Sequence, residues 1–360
     1  MQALKKSLRI TIVLPFPVTK PVGGAKIMYE YANRLKSRGH WVVVVHSLRR
    51  PFKKAKTPLK WMRLVYRLRK ASRPKWFPLD KLIPSLIVDE IADRFLPDAD
   101  IVFSTWWQMT YAISKLSPAK GKPVNPVQDY EVWTGQEEKV LASYGLPVHH
   151  AVIAEYLKKL LRDNHADKVV YFPNAIDNEK FYVSNPIAGR NPLSIIMLYS
   201  EEERKGSKYG IEAIKALKNK FSEMQVTLFG VYPKPDGLPE WIQYYRRPEN
   251  LPALYNEHAI FLSPSLKEGW ALPPAEAMAC GCAVVCTEIG GHADYAKQDK
   301  TALLIKTNDI ADIISKTEHL LTHNNRRVQL AIEGNRFLID NFNWEKSVNI
   351  AEEYFFRILS

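Results

Sequence analysis

Two carboxylates, Glu268 and Glu276, stand on either side of Gly269-Trp-Ala-Leu-Pro-Pro-Ala275. Upstream, Ala259-Ile-Phe-Leu-Ser-Pro-Ser265 reads as a short buried strand running into a turn, and downstream Glu276-Ala-Met-Ala-Cys-Gly281 reads as a short helix with a glycine stop. A loop between strand and helix N-terminus is where open α/β sheets take ligands. Proline suits the first helical turn, and the free N–H groups of that turn, with the helix dipole, suit a phosphate. Carboxylates beside a phosphate would repel it, so their work is to accept hydrogen bonds from hydroxyls such as those of sugars. A phosphate cradle next to hydroxyl acceptors points to a nucleotide-sugar.

Other residues could share that chemistry. Ser200-Glu-Glu-Glu-Arg-Lys-Gly206 follows a predicted strand and opens a helix, so Arg204 and Lys205 are placed to grip a diphosphate; the bland reading is a solvated charged turn. Pro15-Phe-Pro-Val-Thr-Lys-Pro-Val-Gly-Gly24 follows the first strand, and its paired glycines allow close approach to a ligand or simply make a turn. Neither Gly-x-Gly-x-x-Gly nor a P-loop is present there, which weakens dinucleotide and ATP readings. Trp106, Trp107 and the polar cluster Gln128-Asp-Tyr-Glu131 lie after strands of the first half, where a first-domain catalytic group would sit. His40 at a strand start reads as structural. Cys280, Cys282 and Cys286 crowd one helix–strand region with neither a fourth ligand nor a usual metal spacing, so they read as buried thiols; no metal is expected.

These residues must be positioned by repeated strand–helix units. Strands are predicted at Leu8–Leu14, Trp41–Val45, Asp100–Ser104, Lys168–Phe172, Ser194–Tyr199, Gln225–Gly230, Ile260–Ser263 and Ala283–Thr287. Helices are predicted at Ile27–Arg38, Ser207–Lys218 and Ala253–Glu257, with a last helical pattern after Trp344. Alternation of β and α in both halves argues two parallel-sheet domains, which suits a chain of 360 residues. Ser184-Asn-Pro-Ile-Ala-Gly-Arg-Asn-Pro192 reads as the linker, dividing an N-terminal domain at 1–185 from a second domain at 186–342 and a closing helix at 343–360 expected to pack back on the first.

The net charge of +13 calls for an acidic partner: nucleic acid, an anionic membrane face or a phosphorylated substrate. No helix-turn-helix, zinc-finger or RNP pattern supports nucleic acid. Much of the basic bias lies in 49–73, where Pro58 and Pro74 bracket a helical segment. Trp61, Leu64, Val65 and Leu68 fall on one face of it, and Lys60, Arg63, Arg67 and Lys70 on another. Such a helix suits an anionic membrane surface, or else packs on its own domain with a solvated basic face. The apolar runs are strand-length, no signal peptide is visible, and three thiols fit a reducing, cytoplasmic compartment.

Over nearly its whole length the chain resembles the glycosyltransferases of family 4, which have the GT-B fold. The resemblance runs through Gly23-Gly24, Arg38-Gly-His-Trp-Val42, Phe172-Pro-Asn-Ala-Ile-Asp177 with Phe181, Lys205-Gly206, Pro264-Ser265, Glu268 to Glu276-Ala-Met-Ala-Cys-Gly281, and Phe342-Asn-Trp344. It implies two Rossmann-like domains facing a cleft and a retaining transfer of sugar from a nucleotide-diphosphate donor to a glycan or lipid-linked acceptor. Glu268 would contact the donor sugar and Glu276 the ribose; Arg204 and Lys205 would hold the diphosphate. Gly269, Trp270, Ala271 and Leu272 would offer N–H groups, with Ser265 and Gly24 also at the donor. No cofactor is implied. Tyr199-Ser200 stands where the family often has Gly-Arg, and Gln128-Asp129 where it often has a catalytic His. Gln128 cannot act as acid or base, so it positions the sugar or the role lies elsewhere, with Asp129 beside it. These departures suggest a different donor, such as rhamnose on dTDP. Rival readings are a sugar-nucleotide epimerase of the same fold and a catalytically inactive relative.

Overall fold

The computed structural model describes residues 7–54, 56–69, 71–132 and 135–360; Lys70 and the charged start Met1–Lys6 lie outside the described residues. The chain divides into two compact units, Met1–Pro173 with Ser347–Ser360, and Asn174–Lys346.

The first unit is built on a seven-stranded sheet, parallel throughout. In chain order its strands are β1 (Arg9–Leu14), β2 (Trp41–Ser47), β3 (Ser85–Val88), β4 (Ile101–Ser104), β5 (Lys122–Val127), β6 (His149–Val152) and β7 (Val169–Tyr171). Their spatial order, β3-β2-β1-β4-β5-β6-β7, reverses between β1 and β4. β1 and β2 are buried from their second residue on, as near-continuous apolar runs must be when helices cover both faces. Helices α1 (Gly23–Ser37), α2 (Leu59–Leu68), α3 (Trp107–Ile113), α4 (Glu137–Tyr144) and α5 (Glu155–Asp163) connect the strands.

The second unit repeats the plan with β8 (Ser194–Leu198), β9 (Gln225–Gly230), β10 (Ile242–Arg246), β11 (Ile260–Ser263), β12 (Ala283–Thr287) and β13 (Ala302–Ile305), ordered β10-β9-β8-β11-β12-β13. Every pair is parallel, and the order reverses between β8 and β11. Helices α6 (Ser207–Lys220), α7 (Leu251–Asn256), α8 (Leu272–Ala279), α9 (Ile310–Thr322) and α10 (Asn324–Asn341) cover it. Ile195, Met197, Leu228, Ile260, Leu262, Val285 and Leu330 are among its buried core.

The division falls at Pro173, ahead of the expected linker at Ser184–Pro192. The reason is that 174–186 is anchored in the second unit: Ser184 and Asn185 N–H donate to Asn256 Oδ1 at 2.8 and 3.2 Å, and Phe181 lies against Tyr255. The last helix, α11 (Trp344–Leu359), delivers Ser347–Ser360 to the first unit. There Phe355 packs edge-on against Phe103, and Glu352 meets His40 Nε2 at 2.8 Å and Arg38 at 3.0 Å. His40 is thus a structural tie, as expected.

α2 departs from the reading in which its apolar stripe packs on its own domain. Trp61, Leu64, Val65 and Leu68 are all exposed, Leu68 by 74%, and no residue of the helix is buried. The half-buried side is Leu59, Met62 and Tyr66 instead. The apolar stripe therefore faces outward, with Lys60 and Arg67 exposed on its flank, while Arg63 is engaged by Asp89.

Candidate functional site

Two loops follow β8 and β11, the strands flanking the order reversal of the second unit, and ligands bind outside the carboxyl ends of such strands. The first loop winds into a single 3₁₀ turn, Glu203–Lys205, and enters α6 through Gly206. Gly206 is in the left-handed region, φ 63°, and a Cβ there would lie 2.0 Å from Pro264 O. Only glycine lets the two loops touch at this point. Leu266 N–H closes the contact by donating to Arg204 O at 2.7 Å.

The contact brings the predicted charges together. Lys205 Nζ donates to both Glu268 oxygens, at 2.7 and 2.9 Å, and Ser265 Oγ donates to Oε1 at 2.9 Å. Arg204 stands 3.5 Å from Glu268 Oε2 and is held more closely by Glu202, at 2.7 Å. Glu268 and Ser265 are buried, whereas the Arg204 side chain is 41% exposed. The structure therefore joins Arg204, Lys205, Ser265 and Glu268 directly, with Ser265 orienting the carboxylate. Ser200 is buried and caps locally: its N–H donates to Ser207 Oγ, and its own Oγ accepts from Glu202 N–H.

The loop after Glu268 offers fewer donors than its sequence suggests. Ala271 N–H is already given to Gly291 O at 3.1 Å, and Pro273 and Pro274 have none. Gly269, Trp270 and Leu272 keep N–H groups with no acceptor among the described residues. The Trp270 side chain is buried, edge-on to Tyr295 at 4.9 Å and tilted against Phe342 at 5.7 Å, so it braces the loop. Glu276 is buried one turn into α8. Burial first, then the Glu276 charge, push Tyr255 well above its ordinary value.

Sequence reasoning missed the support behind Glu268. A Cβ on Gly291 would lie 2.5 Å from Glu268 Cβ and 2.5 Å from its carbonyl oxygen. His292, fully buried, has Nδ1 2.8 Å from Thr287 O and Nε2 3.5 Å from Ser263 Oγ. Burial holds its pKa below the usual value, so the ring is a neutral spacer with Nδ1–H donating. The pair Gly290-Gly291 after β12 was the available signal. The three cysteines are buried and free, and burial pushes Cys280 and Cys282 up to about 12.

In the first unit Gln128 follows β5. Its Nε2 donates to Gly24 O at 3.1 Å and to Thr105 Oγ1 at 2.9 Å, tying the first turn of α1 to the segments after β4 and β5. Asp129 Oδ1 accepts the N–H of Tyr130. Glu131 accepts Trp107 N–H at 2.7 Å, at the start of α3; burial, opposed by that bond, raises its carboxyl to about 8. Among the described residues no helix is long and apolar enough to cross a membrane.

Comparison with known proteins bears on both units. Residues 184–337 match the family model Glycosyl transferases group 1. A D-inositol 3-phosphate glycosyltransferase of Rhodococcus erythropolis is 31% identical over 108 residues, 30% of this chain. That match spans only 24% of the relative's length. Among solved structures, a sucrose-phosphate synthase of Thermosynechococcus elongatus superposes with a TM-score of 0.72 at 14% identity, covering 97% of this chain and 99% of that one. HepE of Anabaena, solved with UDP-glucose, gives a TM-score of 0.70 at 12% identity, covering 98% and 99%. At these identities the likeness is one of fold, and the fold is GT-B.

Proposed function

We propose that the protein is a retaining glycosyltransferase that moves a sugar from a nucleotide-diphosphate donor to a hydroxyl of a glycan or lipid-linked acceptor, in cell-surface polysaccharide assembly. The observation that carries this reading is the Lys205–Glu268–Ser265 constellation at the carboxyl ends of β8 and β11. On this reading Lys205 and Arg204 neutralise the diphosphate as it leaves, joined by the N–H groups of Gly269, Trp270 and Leu272. Glu268 accepts hydrogen bonds from the donor sugar, and Glu276 serves the ribose. Gln128, pinned to Gly24 and Thr105, positions; Asp129 is the neighbouring carboxylate. The group 1 match of residues 184–337 and the UDP-glucose bound by the similar HepE fold support a nucleotide-sugar donor. Retention of configuration rests on the resemblance of Glu268 to Glu276 to family 4.

The outward apolar stripe of α2, flanked by Lys60 and Arg67, supports attachment to an anionic membrane surface, at the cytoplasmic face of the plasma membrane. A thermal-shift panel of UDP- and dTDP-sugars, including dTDP-rhamnose, identifies the donor, since a ligand at a hundredfold its Kd stabilises by about 2.7 kcal/mol. Glu268→Ala is then expected to abolish transfer in a protein that still folds; near-normal turnover in that variant would end the assignment. Donor incubated without acceptor is expected to stay nearly unchanged, where an epimerase would convert it.

A further inference from the structure

The first unit carries a cationic cavity that the donor site does not explain. It has a volume of about 850 Å³ and opens at the carboxyl ends of β2 and β3. Five basic residues line it: Arg49, Arg50, Lys53, Lys54 and Lys115. Two acidic residues share the wall, and both are occupied: Glu90 pairs with Arg94 at 2.7 Å, and Asp93 accepts Ser117 N–H at 3.1 Å. None of the five cations has an ion pair among the described residues. Asp89, whose carboxyl Arg63 foremost and then Arg49 help to hold below its usual range, and the two wall carboxylates offset part of this charge, and the excess of cations that remains around the cavity favours an anion.

Arg50 shows this excess most clearly. Its guanidinium lies 5.1 Å from the Phe16 ring and 5.1 Å from the Trp106 ring, residues that follow β1 and β4 at the order reversal of this sheet. Its Nη1 is buried with no hydrogen-bond partner among the described residues. A fixed, desolvated fork that lacks an acceptor is poised for oxygens of a phosphate, which guanidinium matches bidentately. Lys53 is crowded too: Arg50 foremost, then burial, lower its pKa. Tyr111, Ile91 and Leu116 give the same cavity an apolar side, so it has room for more than a bare ion.

We propose that this cavity is an anion site that takes a phosphate or diphosphate group of a larger ligand. Its role as the anchor of a phosphorylated acceptor rests on the glycosyl-transfer reading; its capacity to bind the anion does not.

Calorimetric titration with inorganic pyrophosphate tests it, with every protein carrying Arg204→Gln/Lys205→Gln so that the second unit's two diphosphate-site cations contribute to no arm. Lys53→Gln/Lys115→Gln removes two exposed cations without touching the fold and is expected to weaken binding at least about tenfold. Arg50→Gln is expected to do the same, with circular dichroism checking that it folds. Pyrophosphate affinity unchanged in the folded double variant, or absent from the parent together with any binding to the vesicles below, overturns the proposal. A second arm uses phosphatidylcholine vesicles with and without a polyprenyl diphosphate. Binding to the doped vesicles that Lys53→Gln/Lys115→Gln abolishes assigns a lipid source for the group, and pyrophosphate binding alone assigns a soluble one. If pyrophosphate binds here while no nucleotide-sugar stabilises the unmodified protein, the transfer reading fails and the anion site stands.

Discussion

Gly291→Ala alters no charge and no proposed ligand contact, yet it should disable Glu268. The added Cβ would sit 2.5 Å from Glu268 Cβ, 2.5 Å from its carbonyl oxygen and 2.8 Å from its carbonyl carbon. Carbon atoms pack at about 3.5 Å or more, so the backbone at Glu268 must retreat by about 1 Å. Ala271 N–H to Gly291 O, at 3.1 Å, ties the two loops and limits how they can part. Overpacking of this kind costs about 1–3 kcal/mol, and loosening the Lys205 and Ser265 contacts adds about 1 kcal/mol more. A total of about 2–4 kcal/mol lowers the melting temperature of a unit this size by about 5–15 °C. A 1 Å misplacement of a positioned group costs about a hundredfold in rate. Differential scanning calorimetry and a donor-consumption assay read the two effects. Gly189→Ala is the control, since a Cβ there meets nothing within 4 Å. Wild-type melting and turnover in Gly291→Ala would refute the claim that this close approach sets Glu268.

Glu131 has its folded carboxyl pKa raised to about 8, so it stabilises the fold most below its unfolded value and loses that contribution as pH rises towards 8. Glu131→Gln is expected to flatten the decline in stability between about pH 4.5 and 8, read by urea unfolding across that range. Flotation with anionic vesicles is expected to fall when Trp61 and Leu68 are replaced by Ser and when Lys60 and Arg67 are neutralised, while Arg63→Gln, already engaged by Asp89, has less effect. Unchanged flotation in the combined variant removes α2 from the membrane account. Glu268→Gln is expected to bind a nucleoside diphosphate more tightly than wild type while losing turnover of the donor, checked by calorimetry and by product assay.

The second unit was more legible than the first, for local reasons. Ser194–Leu198, Gln225–Gly230 and Ile260–Ser263 are apolar runs closed by turn residues, and their loops carry the charges that meet in space. β5, by contrast, is Lys122-Pro-Val-Asn-Pro-Val127, with two prolines in an interior strand, and propensity argues against it. It is a strand because β4 and β6 pair on either side of it. β10, with its outer residues Gln243, Tyr245 and Arg246 mostly exposed, is an edge strand without an apolar run. At the site, residue types and spacing led to Glu268 and Lys205. They could not show that Ala271 N–H was already spent on Gly291, because that bond joins loops after different strands.

The Lys205–Glu268 pair explains why removing a carboxylate should favour one ligand and defeat another. Lys205 has one charge, and in this structure it is given wholly to Glu268 through contacts of 2.7 and 2.9 Å. At an effective dielectric near 20 that attraction is about 6 kcal/mol before desolvation is counted. If Lys205 holds the diphosphate as proposed, a nucleoside diphosphate must draw it away and cost the buried carboxylate that ion pair, which works against its binding. A donor that carries its sugar supplies hydroxyls in Lys205's place, so Glu268 is satisfied again. On the proposed roles, the exchange would discriminate in favour of the sugar-bearing donor and weaken the hold on the spent nucleotide. With Gln at 268 the competing charge is gone: Lys205 is free for phosphate from the start, and the discrimination disappears with it.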